Sequence, residues 1–256
     1  MSWSEVCRAA LIEKGILLDL SFSEEEIFQM VRYGELLVEW NEKMNLTGIT
    51  DPEGVAVKHM LDSAVGAKRL PPDCRLIDVG TGAGFPGIVL KILRPDIEVV
   101  LLDSLKKRLT FLDAVIVDLK LEKITTVHSR AEDGGHQKGL RESFDVAVAR
   151  AVASLPALLE HCLPFVKVGG VFWAWKGPKG QGELEESKRA LELLYGKILE
   201  VVEIDFPETD EPRLLIGTKK VKEMDKKYPR KPGSSPLWGK ERRGKSDDKK
   251  NLGHDG

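Results

Sequence analysis

Leu76-Ile77-Asp78-Val79-Gly80-Thr81-Gly82-Ala83-Gly84-Phe85-Pro86-Gly87 is the stretch around which the rest of the 256-residue chain is organised. Leu76, Ile77 and Val79 end a short apolar run, which reads as a buried strand. Glycine then occupies every second position, at 80, 82 and 84. Phe85 to Leu93 has the pattern of the first turns of a helix, with Pro86 near its start, where a missing N–H is tolerated. Strand, glycine turn and helix make the first unit of a doubly wound sheet, in which nucleotide-like ligands bind at the carboxyl ends of the strands. Glycine suits such a loop because the backbone turns tightly and a ligand approaches with no Cβ in the way.

Two cofactor classes use a loop of this kind. Gly82, Gly84 and Gly87 spell the dinucleotide fingerprint G-x-G-x-x-G, but that fingerprint starts straight off its strand, a place Gly80 already holds. With Asp78 the run becomes D-x-G-x-G-x-G, the pattern of S-adenosylmethionine enzymes. Asp78 is then expected to help hold the ammonium of the methionine part, directly or through water. Asp103 ends a second apolar run, Val99 to Leu102, about 20 residues beyond the glycines, the spacing of a carboxylate that accepts from ribose hydroxyls. An NAD-dependent oxidoreductase is the competing reading; it accounts for the overlapping fingerprint and Asp103 but not for Asp78.

Composition narrows the field. The length suits one α/β domain with an appendage. No apolar run reaches the length of a membrane span, and no signal peptide is evident. Cys7, Cys74 and Cys162 are isolated, and the five histidines form no metal-ligand spacing, so neither a disulfide framework nor a metal site is expected. A reducing cytoplasm is the expected location. The net charge of −2 hides an asymmetry: Lys219 to Lys250 holds thirteen Lys/Arg against five Asp/Glu, a balance of +8, leaving −10 for the remainder. A basic tail on an acidic body suits a polyanionic partner, though a solvated tail with no partner explains it equally well.

Along the chain, residues 1–70 read as an N-terminal helical segment. Trp3 to Glu13 is a short amphipathic helix. Ser23 and Glu26 form a capping box for a helix running to about Trp40. Asp51-Pro52 starts a third helix, with Val57, Met60, Leu61, Ala64 and Val65 as its stripe. Pro71-Pro72 marks the boundary to a core of about residues 71–221, where strand and helix alternate as in a mostly parallel sheet. Strands are expected at about 75–80, 98–103, 124–128, 144–149, 171–176, 199–204 and 213–218, with a turn at Gly169-Gly170 and a helix from Glu183 to Tyr195. The last two strands lie too close for a crossover helix and should pair antiparallel. The fold class is therefore α/β, a Rossmann-like methyltransferase arrangement of seven strands, the last antiparallel. Residues 222–256 form a basic tail, expected to be disordered after Gly239.

Several stretches, taken in order, resemble one family, the RsmG/GidB bacterial 16S rRNA guanine-N7 methyltransferases. They are Met44-Asn45-Leu46-Thr47, His59-Met60-Leu61-Asp62-Ser63, the glycine loop with its Phe85-Pro86-Gly87, Leu102 to Arg108, Ser129-Arg130-Ala131-Glu132, Arg150-Ala151, Lys176-Gly177 and Tyr228 to Gly233. The resemblance covers roughly residues 35–233. It implies S-adenosylmethionine as cofactor and methylation of one guanine N7 in the decoding-region loop of 16S rRNA, in naked RNA or in the small ribosomal subunit. By motif it implies cofactor contacts at Gly80, Phe85, the Ala131-Glu132 pair and Arg150, with Asp103 and Ser104 on the ribose and adenine side. Gly82 and Gly84 complete the loop. A non-catalytic RNA-binding module on the same fold is a further alternative; the intact loop and both acids weigh against it.

The chemistry agrees with this residue set. Guanine N7 is an exposed lone pair with no proton to remove, so catalysis reduces to alignment of nucleophile, methyl and sulfur. The chain lacks the N/D-P-P-Y/F that orients an exocyclic amine and the Pro-Cys of pyrimidine C5 chemistry; Arg150-Ala151 stands there instead. Arg150 at the end of the fourth strand is the expected catalytic-site cation, free to take the cofactor carboxylate, a phosphate or guanine O6. Substrate-side candidates are Asn45 and His59, with Asp62 on the same helix face as His59. Lys106 and Arg108 are added because cations at a helix start gain nothing from its dipole. Arg230 and Lys231 beside Tyr228 combine cations with a stacking aromatic. Trp173 and Trp175 are expected in the core.

Overall fold

Ser2 and Ser23 start the first two helices by the same device. Each side chain accepts from the amide three residues on, and the glutamate there, Glu5 or Glu26, accepts from the serine amide in return. The resulting helices are α1 (Trp3–Leu17), four residues longer than expected, and α2 (Glu24–Asn41). The computed structural model describes residues 1–150, 153–206, 212–232 and 234.

Asp51 caps the next helical segment through Gly54 N (2.7 Å), with Pro52 in the first turn as expected. The segment is not a regular α-helix. Val55–Leu61 is wound as a π-helix between short α-helical turns at Pro52–Gly54 and Asp62–Ala64. Such wide turns favour functional sites. Val57, Met60, Leu61, Ala64 and Val65 are buried as the stripe predicts.

The sheet has seven strands: β1 (Arg75–Val79), β2 (Glu98–Asp103), β3 (Ile124–His128), β4 (Phe144–Arg150), β5 (Val166–Lys176), β6 (Gly196–Ile204) and β7 (Arg213–Lys220). Their order is β3-β2-β1-β4-β5-β7-β6, and β7 runs antiparallel to both of its neighbours. The connecting helices are α3 (Gly87–Leu93), α4 (Lys106–Asp118), α5 (Ala131–Gly134), α6 (Leu155–Cys162), α7 (Gly180–Glu186) and α8 (Lys188–Leu193). Strand order reverses between β1 and β4, both parallel to their partners, so a crevice opens beyond Val79 and Arg150.

Three local expectations change. Gly169-Gly170 is not a turn before β5 but lies inside it, where pairing with β4 slips between Phe144 and Val146. The single helix expected from Glu183 is two, broken at Ser187, whose hydroxyl donates to Glu183 O (2.7 Å). Pro86 precedes α3 rather than opening its first turn.

One sheet face packs with α1 and α2: Leu11, Met30, Tyr33 and Met60 share an apolar cluster with Leu76, Val99, Leu101, Trp173 and Trp175. The tryptophans are thus core, as expected. The other face, with Ile77, Phe172 and Ala174, packs against α6 and Phe165. Met224 and Tyr228 join that second cluster, so the described start of the tail belongs to the fold. It is tied down by Arg141, which donates to the carbonyls of Tyr228 (2.7 Å) and Met224 (3.0 Å), and by buried Lys220, which donates to Glu142 (2.5 Å).

Candidate functional site

The glycine loop is held from both sides. Gly80 N and Thr81 N donate to Leu102 O (2.8 and 3.1 Å), laying the loop over the end of β2. From beneath, Asp78 Oδ2 accepts from Thr81 Oγ1 (2.7 Å) and Gly87 N (2.9 Å), joining the first and last turns of the loop. Asp78 is fully buried, and that burial lifts its carboxyl to about 6 against the pull of these two bonds. It does not line the cleft. Asp78 therefore shapes the loop from within and makes no direct cleft contact, with its buried Oδ1 unpartnered; of the two expected routes to a methionine ammonium, the one through water is the route compatible with this placement.

The glycines divide by role. Gly80 and Gly82 border the cleft. Gly82 sits at φ +61, and a Cβ on it would meet nothing nearer than Gly80 O at 4.0 Å, so it faces open space. Gly84, expected on the ligand side, faces the interior instead. At φ +99 its Cβ would stand 2.6 Å from the Tyr33 hydroxyl and 2.8 Å from Leu112. Tyr33 donates to Ala83 O there, closing α2 onto the loop. Gly84→Ala is expected to destabilise the fold by about 3 kcal/mol, through backbone strain and overpacking. Gly82→Ala carries the strain of its own positive φ but meets no neighbour, so it should cost only about 1–2 kcal/mol and lower cofactor affinity; urea unfolding and ligand titration on both variants check the contrast.

Asp103, almost fully buried, closes the β2 side. Its Oδ2 accepts from Gly82 N (2.9 Å) and faces Arg108 Nη1 (3.4 Å); its Oδ1 accepts from Leu105 N (2.8 Å). Ser104 and Arg108 border the cleft beside it. Across the floor, Val79, Leu102 and Leu158 present apolar surface. Ala131 and Glu132 form the far wall, where Glu132 lies 3.9 Å from His161.

The opposite wall comes from the N-terminal segment. Leu46 and Thr47 reach the cleft because Asn41 Oδ1 accepts from both of their amides (2.7 and 2.9 Å) at the end of α2. His59 stacks on Phe85 with ring centroids 4.7 Å apart, and Nε2 pairs with Thr47 Oγ1 at 2.8 Å. Burial, and then the charge of Arg150, lower the imidazole to about 4, so the ring is neutral at pH 7. Arg150 Nη1 lies near Asp62 Oδ2 (2.8 Å), Lys58 O (3.1 Å) and His59 O (3.2 Å), and its guanidinium caps the Phe85 ring at 5.0 Å. Asp62 is also 3.7 Å from Arg213 Nε, and its carbonyl accepts from Trp175 Nε1 (2.6 Å). Arg150 thus fastens the end of β4 to the π-helix as well as lining the cleft.

Ten of the predicted site residues meet in this cleft of about 430 Å³: Gly80, Gly82, Phe85, Asp103, Ser104, Ala131, Glu132, Arg150, His59 and Arg108. Others do not. Asn45 is exposed and its neighbours line the cleft instead; Lys106 is exposed on the first turn of α4. Arg230 is taken by Glu160, which accepts from its amide (3.0 Å), Nε (2.8 Å) and Nη2 (2.8 Å). Tyr228 is buried and offers no stacking face, while Lys231 is exposed outside the cleft. Sequence reading missed Thr47, Asn41 and His161. For Thr47 the signal was its place in the Met44–Thr47 motif, and for Asn41 only a polar stretch after a helix end. The disorder expected after Gly239 lies outside the described residues.

The residues present fit S-adenosylmethionine. Gly82 faces open space, an acid pinned to the loop stands where ribose hydroxyls need acceptors, and an apolar floor suits a flat base. No group of three or more metal-ligating side chains occurs among the described residues. No helix among them is long and apolar enough to cross a membrane.

The fold is shared with solved structures of other proteins. P. horikoshii TYW2 in complex with MeSAdo superimposes with a TM-score of 0.51 at 15% identity, covering 62% of this chain and 61% of that one. At that identity the likeness speaks for fold alone. Sequence goes further. The ribosomal RNA small subunit methyltransferase G of Acetivibrio thermocellus is 50% identical over 234 residues, covering 90% of this chain and 96% of that protein. Its counterpart from Alkaliphilus oremlandii is 47% identical over 218 residues, covering 84% and 91%. Residues 26–210, which carry the π-helix, the glycine loop, Asp103 and Arg150, match the model of GidB, rRNA small subunit methyltransferase G, and the chain belongs to that family.

Proposed function

We propose that this protein transfers the methyl group of S-adenosylmethionine to N7 of a guanine in 16S rRNA, without a general base. The observation that carries this reading is the cleft itself, with a nucleoside-shaped wall at Asp103, Ser104 and Glu132 and a cationic, aromatic wall at Arg150, Phe85 and His59. When bound, S-adenosylmethionine supplies an electrophilic methyl. The chain's task is orientation: the loop amides and Asp103 hold the nucleoside side, and the Arg150–Phe85–His59 stack offers a flat surface for a splayed-out base.

Proton abstraction has no candidate on the substrate wall. His59 at about 4 is too weak a base to take up a proton near neutrality. Asp62 is spent on Arg150 and Arg213. Guanine N7 needs no such group. The 16S rRNA, alone or in the small ribosomal subunit, is the proposed partner, and the cytoplasm the proposed location.

Single-turnover transfer from labelled S-adenosylmethionine to small subunits lacking the modification tests this reading. The label should map to N7 by the strand scission that N7 methylation permits. The single-turnover rate should be flat across neutral pH. A rising limb there would require a base that the substrate wall, among the described residues, does not offer, and label at any other atom would remove the N7 assignment.

A further inference from the structure

Thr47 has an unusual hydrogen-bond account. Its Oγ1 accepts from Ile49 N (3.0 Å) and faces His59 Nε2 (2.8 Å). The far side of the imidazole decides who donates in the second contact. His59 Nδ1 faces Arg150 Nη2 at 3.4 Å, and a guanidinium has only donors. A neutral ring therefore presents its lone pair at Nδ1 and carries its proton on Nε2. The Lys58 carbonyl beside the ring accepts from Arg150 Nη1 (3.1 Å) and has a second lone pair for an Nδ1 proton, but that proton would then lie against the Arg150 guanidinium at 3.4 Å. With Nε2–H donating, both lone pairs of Thr47 Oγ1 are filled. Its own hydrogen has no acceptor among the described residues, although Thr47 borders the cleft.

We propose that Thr47 selects guanine: locked by His59 and Ile49 as a pure donor, its hydroxyl bonds to O6 of the base whose N7 is methylated. Adenine carries an amino group at that position, a donor that would face a donor. His59 is a positioning residue in this scheme, since it acts through Thr47, and Arg150 sets its tautomer. The Asn41 clamp on the Leu46 and Thr47 amides keeps the hydroxyl at the cleft wall. The proposal rests on the guanine-N7 reading above.

The test is a two-by-two comparison on the full chain. Wild-type protein and Thr47→Val are each assayed on reconstituted small subunits carrying guanine or 2-aminopurine at the target. 2-Aminopurine keeps N7 and loses O6. With wild type, 2-aminopurine should lower kcat/KM about tenfold to a hundredfold, the range for leaving one buried hydrogen-bonding group unpaired. Thr47→Val should lower activity on guanine by the same factor and then show no further loss on 2-aminopurine. Thr47→Ser should restore the discrimination. Independent losses that multiply, or a wild type indifferent to 2-aminopurine, would overturn the assignment even if Thr47→Val folds poorly. Long-range ¹⁵N–¹H spectra of His59 give a second readout. A proton on Nε2 is expected, and one on Nδ1 would turn Thr47 into an acceptor and overturn the proposal. If wild type makes no N7 product on guanine, the underlying function falls first, which separates the two failures.

Discussion

Asp103→Ala is expected to weaken S-adenosylmethionine binding by about tenfold to a hundredfold while the chain stays folded. A carboxylate offers about four lone-pair sites. Here Gly82 N, Leu105 N and Arg108 engage part of that capacity, leaving the remainder for ligand hydroxyls at the cleft edge. Each hydrogen bond to a charged acceptor is worth about 1.5–3 kcal/mol. Losing the one that remains for the ligand amounts to about 1.5–3 kcal/mol, and every 1.4 kcal/mol is about tenfold in affinity. The variant also releases the Gly82 amide and Arg108, so the loop loses one of its anchors as well as the ligand contact. Asp103→Asn keeps the shape and one acceptor and should fall between the two. Calorimetric titration, with circular dichroism to show the fold, measures the effect. An Asp103→Ala protein that binds the cofactor as wild type does would take the ribose role away from this residue.

Arg150→Ala should affect stability and activity together. The side chains of Arg150 and Asp62 are only 12% and 7% exposed, so removing the cation leaves a carboxylate enclosed, with Arg213 at 3.7 Å as its remaining partner. Breaking a buried pair from one side costs about 3–5 kcal/mol; the residual Arg213 contact places this case at about 3. For a domain of this size that is a drop of roughly 6–12 °C in the melting midpoint. The carbonyls of Lys58 and His59 lose their donor at the same time, so the π-helix is released from the end of β4. Methyl transfer should then fall further than cofactor binding, because the wall that orients the base is the part set free. Arg150→Lys should not restore it, since an ammonium lacks the planar fork that meets Asp62 and both carbonyls while lying over Phe85. The paired variant Arg150→Met with Asp62→Leu removes both charges. It should recover much of the lost stability without recovering activity, which separates the ion pair from the orienting role. Thermal unfolding and single-turnover assays on the same preparations read both effects.

The parts of the site legible from sequence are those built from residues close together in the chain. Asp78, the glycines and Asp103 sit in one strand–loop–helix–strand unit, and local pattern places them at one sheet end. The misreadings share a cause. Asp78 was expected at the ligand because its type and spacing suit one, yet its oxygen is taken by Thr81 and Gly87. Gly84 was grouped with the cleft glycines, yet Tyr33, from a helix about 50 residues earlier, fills the space on its side. Arg230 was set on an RNA surface, yet Glu160, 70 residues before it, holds its guanidinium. In each case the residue type was read correctly as reactive or permissive, and a distant partner determined what it touches.

The sequence by itself determined the strand and helix order, the antiparallel last strand, the loop where a nucleoside fits and, through the family motifs, the cofactor class. Short-range patterning suffices for these because hydrophobic period, glycine spacing and capping act within a few residues. Only the tertiary structure decided which wall faces which. It brings Lys58, His59 and Asp62 to Arg150 across about 90 positions of chain, turns Thr47 and not Asn45 toward the cleft, and folds the start of the basic tail onto the sheet. The physical reason is that a polar group's partner is settled by desolvation. Once the two sheet faces bury their apolar surface, each enclosed charge or amide pairs with whatever packing has brought near.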